Sequence, residues 1–367
     1  MPHLDDVPGL AALRAQTLGD PNVMVALLDG AVDVEHPCFE GARLRHVHVD
    51  WTDDHEPLAE FPRHGTGIAS QLFGQPGANV EGVVPHATGL LVRSAVGVND
   101  IHEWGLARAI EHALNAGADI IHCAFCLPRG LPSAKIGDLL RRAIHKAHEA
   151  GVLIVAPSGN NAGDCTCSPA DQPHVLAVGG LNDDGSVRHT SNHGPGFEGH
   201  GVMAWAQNVT LAEPGGATEV HSGTSVAAPW VTGTAALLLS LARAEGHDLN
   251  SVQIGEIIHR TARSMPVDAE GRERAFGGVL APDLALDALR GTSSRPAFAS
   301  NVSPSHVSPS LRFPARVYAL GQLHAEPRDD AAAERLRRSM QQAGRPERVE
   351  GEIGLLAHLT ATPNDRD

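Results

Sequence analysis

Basic residues are scarce in this sequence. Its 367 residues contain 28 Lys and Arg against 43 Asp and Glu, which gives a formal net charge of −15 at pH 7 when histidine is counted as neutral. Such an excess of negative charge repels the phosphates of nucleic acids and the headgroups of anionic membranes. We therefore expect neither nucleic acid nor a membrane among the partners of this protein.

A secretion signal and long apolar runs are also lacking. The first 20 residues have neither the basic segment nor the apolar segment of a signal peptide, and no uninterrupted run approaches the roughly 18 apolar residues of a membrane-spanning helix. Cysteine is rare, and its odd number, five, is typical of a reducing compartment. These absences predict a cytoplasmic protein.

The remaining composition suits a globular protein with many tight turns, because 42% of the residues are hydrophobic and 39 are glycine. At this length we expect one large domain with an appendage. We place a helical lead-in at residues 1–21, the main domain at 22–290, a Ser/Pro-rich linker at 291–311 and a small C-terminal extension at 312–367.

Continuous apolar runs of the buried-strand type alternate with segments of helical periodicity along the main domain. Their spacing is that of βαβ units, so we predict an α/β fold with a mostly parallel central sheet and helices on both faces. The predicted strands cover residues 23–28, 89–96, 118–125, 152–156 and 175–179, and the predicted helices cover 103–116, 136–150 and 253–262.

The stretch 221–239 is a turn of small residues that opens into a long apolar helix. Within it, Gly223 allows close backbone approach, and Ser225 falls in the first helical turn, where unpaired N–H groups and the helix dipole favour negative charge. A serine hydroxyl beside an anion site is the arrangement that an acyl-transfer nucleophile needs. Taken alone, an N-cap serine on a buried helix explains these residues better.

Three upstream residues change that balance. Asp29 directly follows the first predicted strand, at the edge where open α/β sheets bind their ligands. His64 opens a predicted helix, and Asn160 follows the strand predicted over residues 152–156. These residues suit the roles of orienting acid (Asp29), general base (His64) and oxyanion donor (Asn160) for attack by Ser225. Each of the three, taken singly, could also be a strand-end cap or a loop residue.

Three motifs occur in this order along the chain: His64-Gly65-Thr66, Gly159-Asn160, and Gly223-Thr224-Ser225 followed by Ala227 and Pro229. Together with Asp29 they resemble the subtilisin-type serine proteases over residues 20–290. This resemblance implies a three-layer subtilisin-like fold, a catalytic triad of Asp29, His64 and Ser225, and an oxyanion hole that includes Asn160. It makes the main domain the catalytic domain.

The sequence also departs from the usual pattern of that family. Gly67 stands where a second histidine usually follows the His-Gly-Thr motif, and Trp230 stands where a histidine usually follows the last proline. The strand that often reads Asn-Met-Ser-Leu-Gly reads His-Cys-Ala-Phe-Cys over residues 122–126. Since this strand lines the substrate groove in the family, we transfer no subsite preference to this chain.

Five further segments are distinctive: 8–20, 28–33, 36–39, 71–75 and 317–321. They resemble, more narrowly, the subtilisin-type proteases that mature cyanobactins and related ribosomal peptides. In that family some members remove the leader and others cyclise the core peptide, the latter with capping helices inserted between the catalytic Asp and His. Here His64 follows Asp29 by only 35 positions, which leaves no room for such an insertion.

These observations predict a serine endopeptidase that removes the leader of a ribosomally made precursor peptide, which would bind by adding to strand edges. A macrocyclase of the same family and a catalytically silent peptide-binding protein are the alternatives. The position of Asp29 so near the N-terminus leads us to expect no inhibitory pro-domain, which fits a protease that folds inside the cell. We favour a monomer.

No cofactor and no metal site are predicted. Cys123 and Cys126 lie three residues apart on a predicted strand, so we expect their thiols to diverge into the core. Cys165 and Cys167 share a loop and could form a disulfide or bind zinc, but the sequence identifies no further zinc ligands.

Overall fold

The computed structural model describes residues 4–47, 49, 62–94, 103–125, 127–128, 134–163, 167–265 and 276–291. The C-terminal extension predicted at 312–367 and the predicted linker beyond Gly291 lie outside these residues, as do Cys126 and Cys165.

A seven-stranded sheet forms the centre of the fold, and every neighbouring pair of its strands is parallel. Its strand order is β2-β3-β1-β4-β6-β8-β9. The strands are β1 (Met24–Asp29), β2 (Arg43–Val47), β3 (Thr88–Arg93), β4 (Ile120–Cys123), β6 (Leu153–Pro157), β8 (Val175–Leu181) and β9 (Gly201–Trp205). This architecture confirms the predicted α/β class and the mostly parallel sheet.

Two small antiparallel sheets accompany the central one. The strand β5 (Leu127–Pro128) pairs with β7 (Cys167–Ser168), and β10 (Val209–Glu213) pairs with β11 (Ala217–His221). The second pair is a hairpin that leads directly into the longest helix of the described fold.

Helices cover both faces of the sheet, as predicted. The elements are α1 (Leu10–Arg14), α2 (Pro62–Phe73), α3 (Glu103–Asn115), α4 (Ala134–Glu149), α5 (Thr224–Ala244), α6 (Ser251–Thr261) and α7 (Pro282–Leu289). Strand β1 shows why both faces are closed: Val25 and Leu27 pack with α2 and α5, whereas Ala26 and Leu28 pack with α3 and α4. Because alternate residues of a strand point to opposite faces, an unbroken apolar run fits only a sheet covered twice.

Helix α5 crosses the interior beneath the sheet. It has 21 residues, and all of them from Thr224 to Ala242 are buried. Among the described residues it is the one helix long and apolar enough, by length and composition, to cross a membrane, but its apolar stretch is fully buried inside the fold, so α5 is a core helix. Thr and Gly residues interrupt the apolar sequence of α5, so it contains no uninterrupted apolar run of membrane-spanning length.

The N-terminal lead-in is part of the packed structure. Val7, Leu10 and Leu13 are fully buried in the main core, and α1 packs against α5 and α7. The Arg14 guanidinium donates to the backbone oxygens of Val83 and Gly82. This segment therefore contributes an apolar face to the core, although its composition is polar.

Candidate active site

Asp29 is the last residue of β1, at the carboxyl edge of the sheet between β3 and β4. Its side chain is almost fully buried, at 1% exposure. One carboxylate oxygen, Oδ1, accepts a 2.6 Å hydrogen bond from the backbone N–H of Gly30. The carbonyl oxygen of Asp29 accepts a 2.9 Å bond from the backbone N–H of Ser94. The strand and these bonds together fix the orientation of the carboxylate.

His64 lies in the first turn of α2, with its ring against that carboxylate. Its Nδ1 is 2.8 Å from each of the two carboxylate oxygens of Asp29. A carboxylate can only accept a hydrogen bond, so Nδ1 carries the proton and Nε2 of the neutral ring has the lone pair. This is the tautomer that a general base needs.

The close approach of α2 to β1 depends on Gly65. A Cβ at this position would lie 2.4 Å from the carbonyl oxygen of Ala31 and 2.8 Å from that of Gly30. Both contacts involve backbone atoms, which cannot rotate away as a side chain can. A residue without a side chain is therefore required directly after His64.

Ser225 is the second residue of α5 and is fully buried. Its Oγ and the Nε2 of His64 both lack a hydrogen-bond partner within the described structure, and they do not bond to each other. Helix α2 is nevertheless tied to the first turn of α5, because Gln71 Nε2 donates a 2.8 Å bond to the Val226 carbonyl. Catalytic hydrogen bonds are often long until substrate binds, so this gap is compatible with a nucleophile and its base.

Asn160 follows β6 and bonds to the start of α5. Its Oδ1 accepts a 2.9 Å bond from the backbone N–H of Thr224 and a 3.2 Å bond from the Thr224 hydroxyl. That hydroxyl in turn accepts a 3.2 Å bond from the Gly159 N–H. With the amide oxygen facing Thr224, Nδ2 is the donor end of the side chain. Asp29, His64 and Ser225 thus lie on three different elements, and Asn160 lies in the loop after β6. The structure shows direct bonds within the Asp29–His64 pair and between Asn160 and the residue before Ser225.

Sequence reasoning missed three supporting residues: Ser94, Thr224 and Gly65. Thr224 and Gly65 lie inside the quoted motifs, so their positions were visible, but their contacts depend on how the strands and helices assemble. Ser94 follows directly after β3, the strand that pairs with β1. Its place after a strand was the available signal.

The two departures at Gly67 and Trp230 occupy packed positions. A Cβ at Gly67 would lie 3.1 Å from the Cδ1 of Leu211, so a larger side chain would fit only if Leu211 shifted by a few tenths of an ångström. Trp230 is buried, and its Nε1 donates a 3.0 Å bond to the carbonyl of Trp205. Both residues are accommodated by their neighbours.

A second buried histidine, His122, lies on β4. It is fully buried, and its Nδ1 is 2.7 Å from the hydroxyl of Thr232 on α5. Burial, with a smaller contribution from the nearby His64, lowers the pKa of His122 to about 3. His122 is therefore neutral near pH 7.

The described cysteines are buried free thiols: Cys38, Cys123 and Cys167. Burial raises the pKa of Cys38 to about 12 and raises that of Cys123 as well, so neither is a reactive thiolate. The Cys167 thiol lies 3.7 Å from the Oδ1 of Asn161. Within the described part of the chain, the one group of possible metal ligands that converges is elsewhere, at Glu213, Glu219 and His221.

A family model described as "Subtilase family" matches residues 20–280. The "Thermophilic serine proteinase" of Bacillus sp. (strain AK1) is 28% identical over 67% of this chain and 58% of its own length. The chain therefore spans about three fifths of the length of this curated relative.

The similarity to solved structures extends over nearly the whole length of those structures. The prenylagaramide maturation protease PagA has a TM-score of 0.72 and 35% identity, covering 78% of this chain and 100% of its own. The PatG macrocyclase in complex with peptide has a TM-score of 0.73 and 32% identity, covering 79% of this chain and 98% of its own. The predicted resemblance to this group of proteins is confirmed.

Proposed function

Since this chain belongs to the subtilase family, we propose that it is a serine endopeptidase that cleaves a ribosomally made precursor peptide and removes its leader. The observation that carries the proposal is the buried Asp29–His64 pair, with two N–O distances of 2.8 Å, on a fold shared with a peptide-maturation protease. A buried carboxylate and a histidine in this geometry serve to orient and stabilise an imidazolium.

The reaction begins with attack of Ser225 Oγ on the scissile carbonyl carbon. His64 Nε2 takes the hydroxyl proton, and Asp29 stabilises the imidazolium that results. The backbone N–H of Ser225 and the Nδ2 of Asn160 donate hydrogen bonds to the oxyanion. Breakdown of the tetrahedral intermediate expels the leaving amine, which receives the proton from His64, and water then hydrolyses the acyl-enzyme by the same route.

The position of Ser225 at the start of α5 supports its role as the nucleophile. The first N–H groups of a helix have no intrahelical acceptor, and the dipole places partial positive charge at that end. A negative oxygen that forms there is stabilised without any movement of the protein. Asn160 adds a side-chain donor from the loop after β6, and its bonds to Thr224 fix its distance from the helix.

We favour hydrolysis over macrocyclisation because of the segment that joins Asp29 to His64. His64 follows Asp29 by 35 positions, and the regular elements described between them are a one-turn helix at Pro37–Phe39, the strand β2 and the first two residues of α2. Macrocyclisation remains the alternative, in which an amine instead of water takes the acyl group from Ser225; the similarity to the PatG macrocyclase favours this second candidate.

A silent peptide-binding protein is the third candidate, and the packing of Gly67 and Trp230 argues against it. A distorted site would be expected if either residue disturbed α2 or α5. Instead, Gly67 packs against Leu211, and Trp230 bonds to a backbone carbonyl. His64 keeps both contacts with Asp29.

Cellular context and domain division belong to the proposal as well. We propose a cytoplasmic, monomeric enzyme with a lead-in at 1–21, a catalytic domain at 22–290, a linker at 291–311 and an extension at 312–367. The free thiols of Cys38, Cys123 and Cys167 support a reducing compartment.

Intact-mass spectrometry of a leader-bearing cyanobactin-type precursor peptide, incubated with the protein, tests the function. We expect linear fragments that add up to the precursor plus one water, and none with the Ser225→Ala variant. A product lighter than the linear acid by one water would instead establish macrocyclisation. Labelling of Ser225 by a fluorophosphonate provides the independent check, since a protein that resists labelling has no activated serine and the proposal fails.

A further inference from the structure

Three possible metal ligands meet on one face of the β10–β11 hairpin. Glu213 pairs with Ala217 in the register of the hairpin, and Glu219 and His221 follow Ala217 at intervals of two residues. Side chains two apart on a strand share a face, so Glu213, Glu219 and His221 project to the same side. Their ligand atoms all lie within 4.8 Å of one another.

Two of the three side chains are buried and incompletely bonded. Glu213 and His221 are each only 6% exposed. His221 Nε2 is 2.8 Å from Glu213 Oε1, but Glu213 Oε2 and His221 Nδ1 have no hydrogen-bond partner among the described residues. Buried polar atoms in folded proteins are nearly always bonded. Glu213 Oε2 is a buried carboxylate oxygen with an ion-pair contact to Arg63 but no hydrogen bond, which leaves it available to a ligand.

Among the described residues, a single cationic side chain forms ion pairs with the carboxylates of this group. Arg63 faces the two carboxylates, with its Nε 3.4 Å from Glu213 Oε2 and its Nη1 3.8 Å from Glu219 Oε2. Its side chain is 60% exposed, so it approaches from the solvent side. One guanidinium against two carboxylates leaves one negative charge when His221 is neutral, whereas a divalent cation would match both carboxylates.

We propose that Glu213, Glu219 and His221 form a zinc site, in which the ion replaces Arg63 as the partner of the carboxylates. Two oxygens and one imidazole nitrogen are a ligand set that zinc accepts, with a fourth position left for water. At bond lengths of about 2.1 Å, tetrahedral ligands are about 3.4 Å apart. The present separations, within 4.8 Å, therefore need only small side-chain movements to reach this geometry.

Proton transfer at His221 does not oppose metal binding. In the hydrogen bond to Glu213, Nε2–H of the neutral ring donates to a carboxylate oxygen. When the ion takes the Nε2 lone pair, this proton moves to Nδ1, where no existing hydrogen bond is broken.

The site is connected to both proposed catalytic elements. Arg63 directly precedes His64 in α2, and β11 ends four residues before Ser225. The hairpin tip is held by the N–H of Gly215, which donates a 2.9 Å bond to Asp33 Oδ2. A zinc ion here adds positive charge near the imidazolium that forms on His64, so we expect zinc to slow acylation of Ser225.

His145 and His148 on α4 provide a control for adventitious zinc binding by histidines. His148 stacks on His174 with ring centroids 3.9 Å apart, and His145 lies 5.8 Å from His174. These rings are potential zinc ligands, but among the described residues their ligand atoms do not form a converging group of three as those of the hairpin do. A His148→Gln variant therefore serves to separate adventitious histidine binding from the hairpin site.

Isothermal titration of the full-length protein with zinc chloride tests the proposal, with no peptide substrate required. We expect one site that Glu219→Gln weakens by about tenfold or more, since even outer-shell changes have effects of this size. Arg63→Gln should tighten binding by removing the competing cation. Neither Asp29→Asn, which alters the only other buried carboxylate–histidine pair described, nor His148→Gln should change the affinity.

Equal zinc affinity of Glu219→Gln and the wild type would overturn the proposal, and so would loss of binding in Arg63→Gln. Glu219 is half-exposed, so its variant is expected to fold, and a thermal melt without zinc verifies this. Fluorophosphonate labelling gives a second readout: zinc should slow the labelling of Ser225 in the wild type, EDTA should restore it, and Glu219→Gln should be insensitive to zinc. A protein that binds zinc but cleaves no precursor would leave the site intact and refute only the proposed function.

Discussion

Replacing Gly65 by alanine should disconnect Asp29 from His64 by introducing a single methyl group. The new Cβ would be 2.4 Å from the carbonyl oxygen of Ala31, whereas ordinary contact begins at 3.4 Å. The start of α2 and the end of β1 must therefore separate by about 1 Å. If α2 takes up this shift, the 2.8 Å distance from His64 Nδ1 to the carboxylate becomes about 3.8 Å, which is beyond hydrogen-bond range.

The expected loss follows from that displacement. A misplacement of about 1 Å in a catalytic constellation reduces the rate by about 10²-fold. Overpacking of this kind also lowers the free energy of unfolding by about 1–3 kcal/mol. The rate constant for fluorophosphonate labelling of Ser225 measures the first effect without knowledge of the natural substrate, and urea unfolding measures the second.

Gly105→Ala is the matched control. Gly105 lies in α3, and a Cβ there would meet nothing within 4 Å. Alanine in a helix is more favourable than glycine by about 1 kcal/mol, so this variant should be at least as stable as the wild type and label at the same rate. If Gly65→Ala behaved like this control in both assays, the close packing of α2 on β1 would not be what positions His64, and the reasoning would be refuted.

Three further predictions concern buried polar groups. Asp29→Asn should keep the fold but reduce Ser225 labelling by about 10⁴-fold, because an amide favours the wrong tautomer of His64; near-normal labelling would contradict this role. Because the native pKa of His122 is about 3 and its unfolded pKa is about 6.5, the unfolded state binds the proton first as the pH falls, and stability is lost between these values. His122→Asn should therefore remove about 2 kcal/mol of the stability loss between pH 7 and pH 5 in urea titrations, and an unchanged pH dependence would show that His122 is not the group responsible. Ser251→Ala should lower the free energy of unfolding by about 1–3 kcal/mol, since Ser251 Oγ is buried and accepts a 2.8 Å bond from Leu153 N–H; an unchanged urea midpoint would refute this.

The sequence predicted the sheet where the chain is buried on both faces. The run at residues 23–28 became β1 (Met24–Asp29), and the helix expected at 103–116 became α3 (Glu103–Asn115). These elements have patterns set by their own surroundings, a double-sided core for the strand and one apolar face for the helix.

Strand β2 shows why other elements were not predicted. Its residues, Arg43 to Val47, are mostly exposed or half-exposed, and it joins the sheet through backbone bonds to β3. Backbone pairing at a sheet edge has no side-chain pattern. The hairpin β10–β11 was also missed, because its polar face carries Glu213 and His221 where an apolar alternation would be expected.

The candidate site could be predicted as a set of residues but not as a geometry. Motif order brought Asp29, His64, Asn160 and Ser225 together, and their roles remain predictions. The contacts that hold them depend on distant segments, such as the bonds of Asn160 to Thr224, 64 residues away. No local pattern encodes such a distance.

Because α5 is buried, we expect the reactivity of Ser225 to depend on the stability of the whole domain. The residues of this helix from Thr224 to Ala242 are all buried, so no part of this stretch is exposed enough to open alone. Backbone amides in such an element exchange with deuterium only when the entire domain unfolds. Loss of labelling on heating should then coincide with global unfolding and not precede it. Ser225 is therefore expected to stay reactive until the core around α5 unfolds.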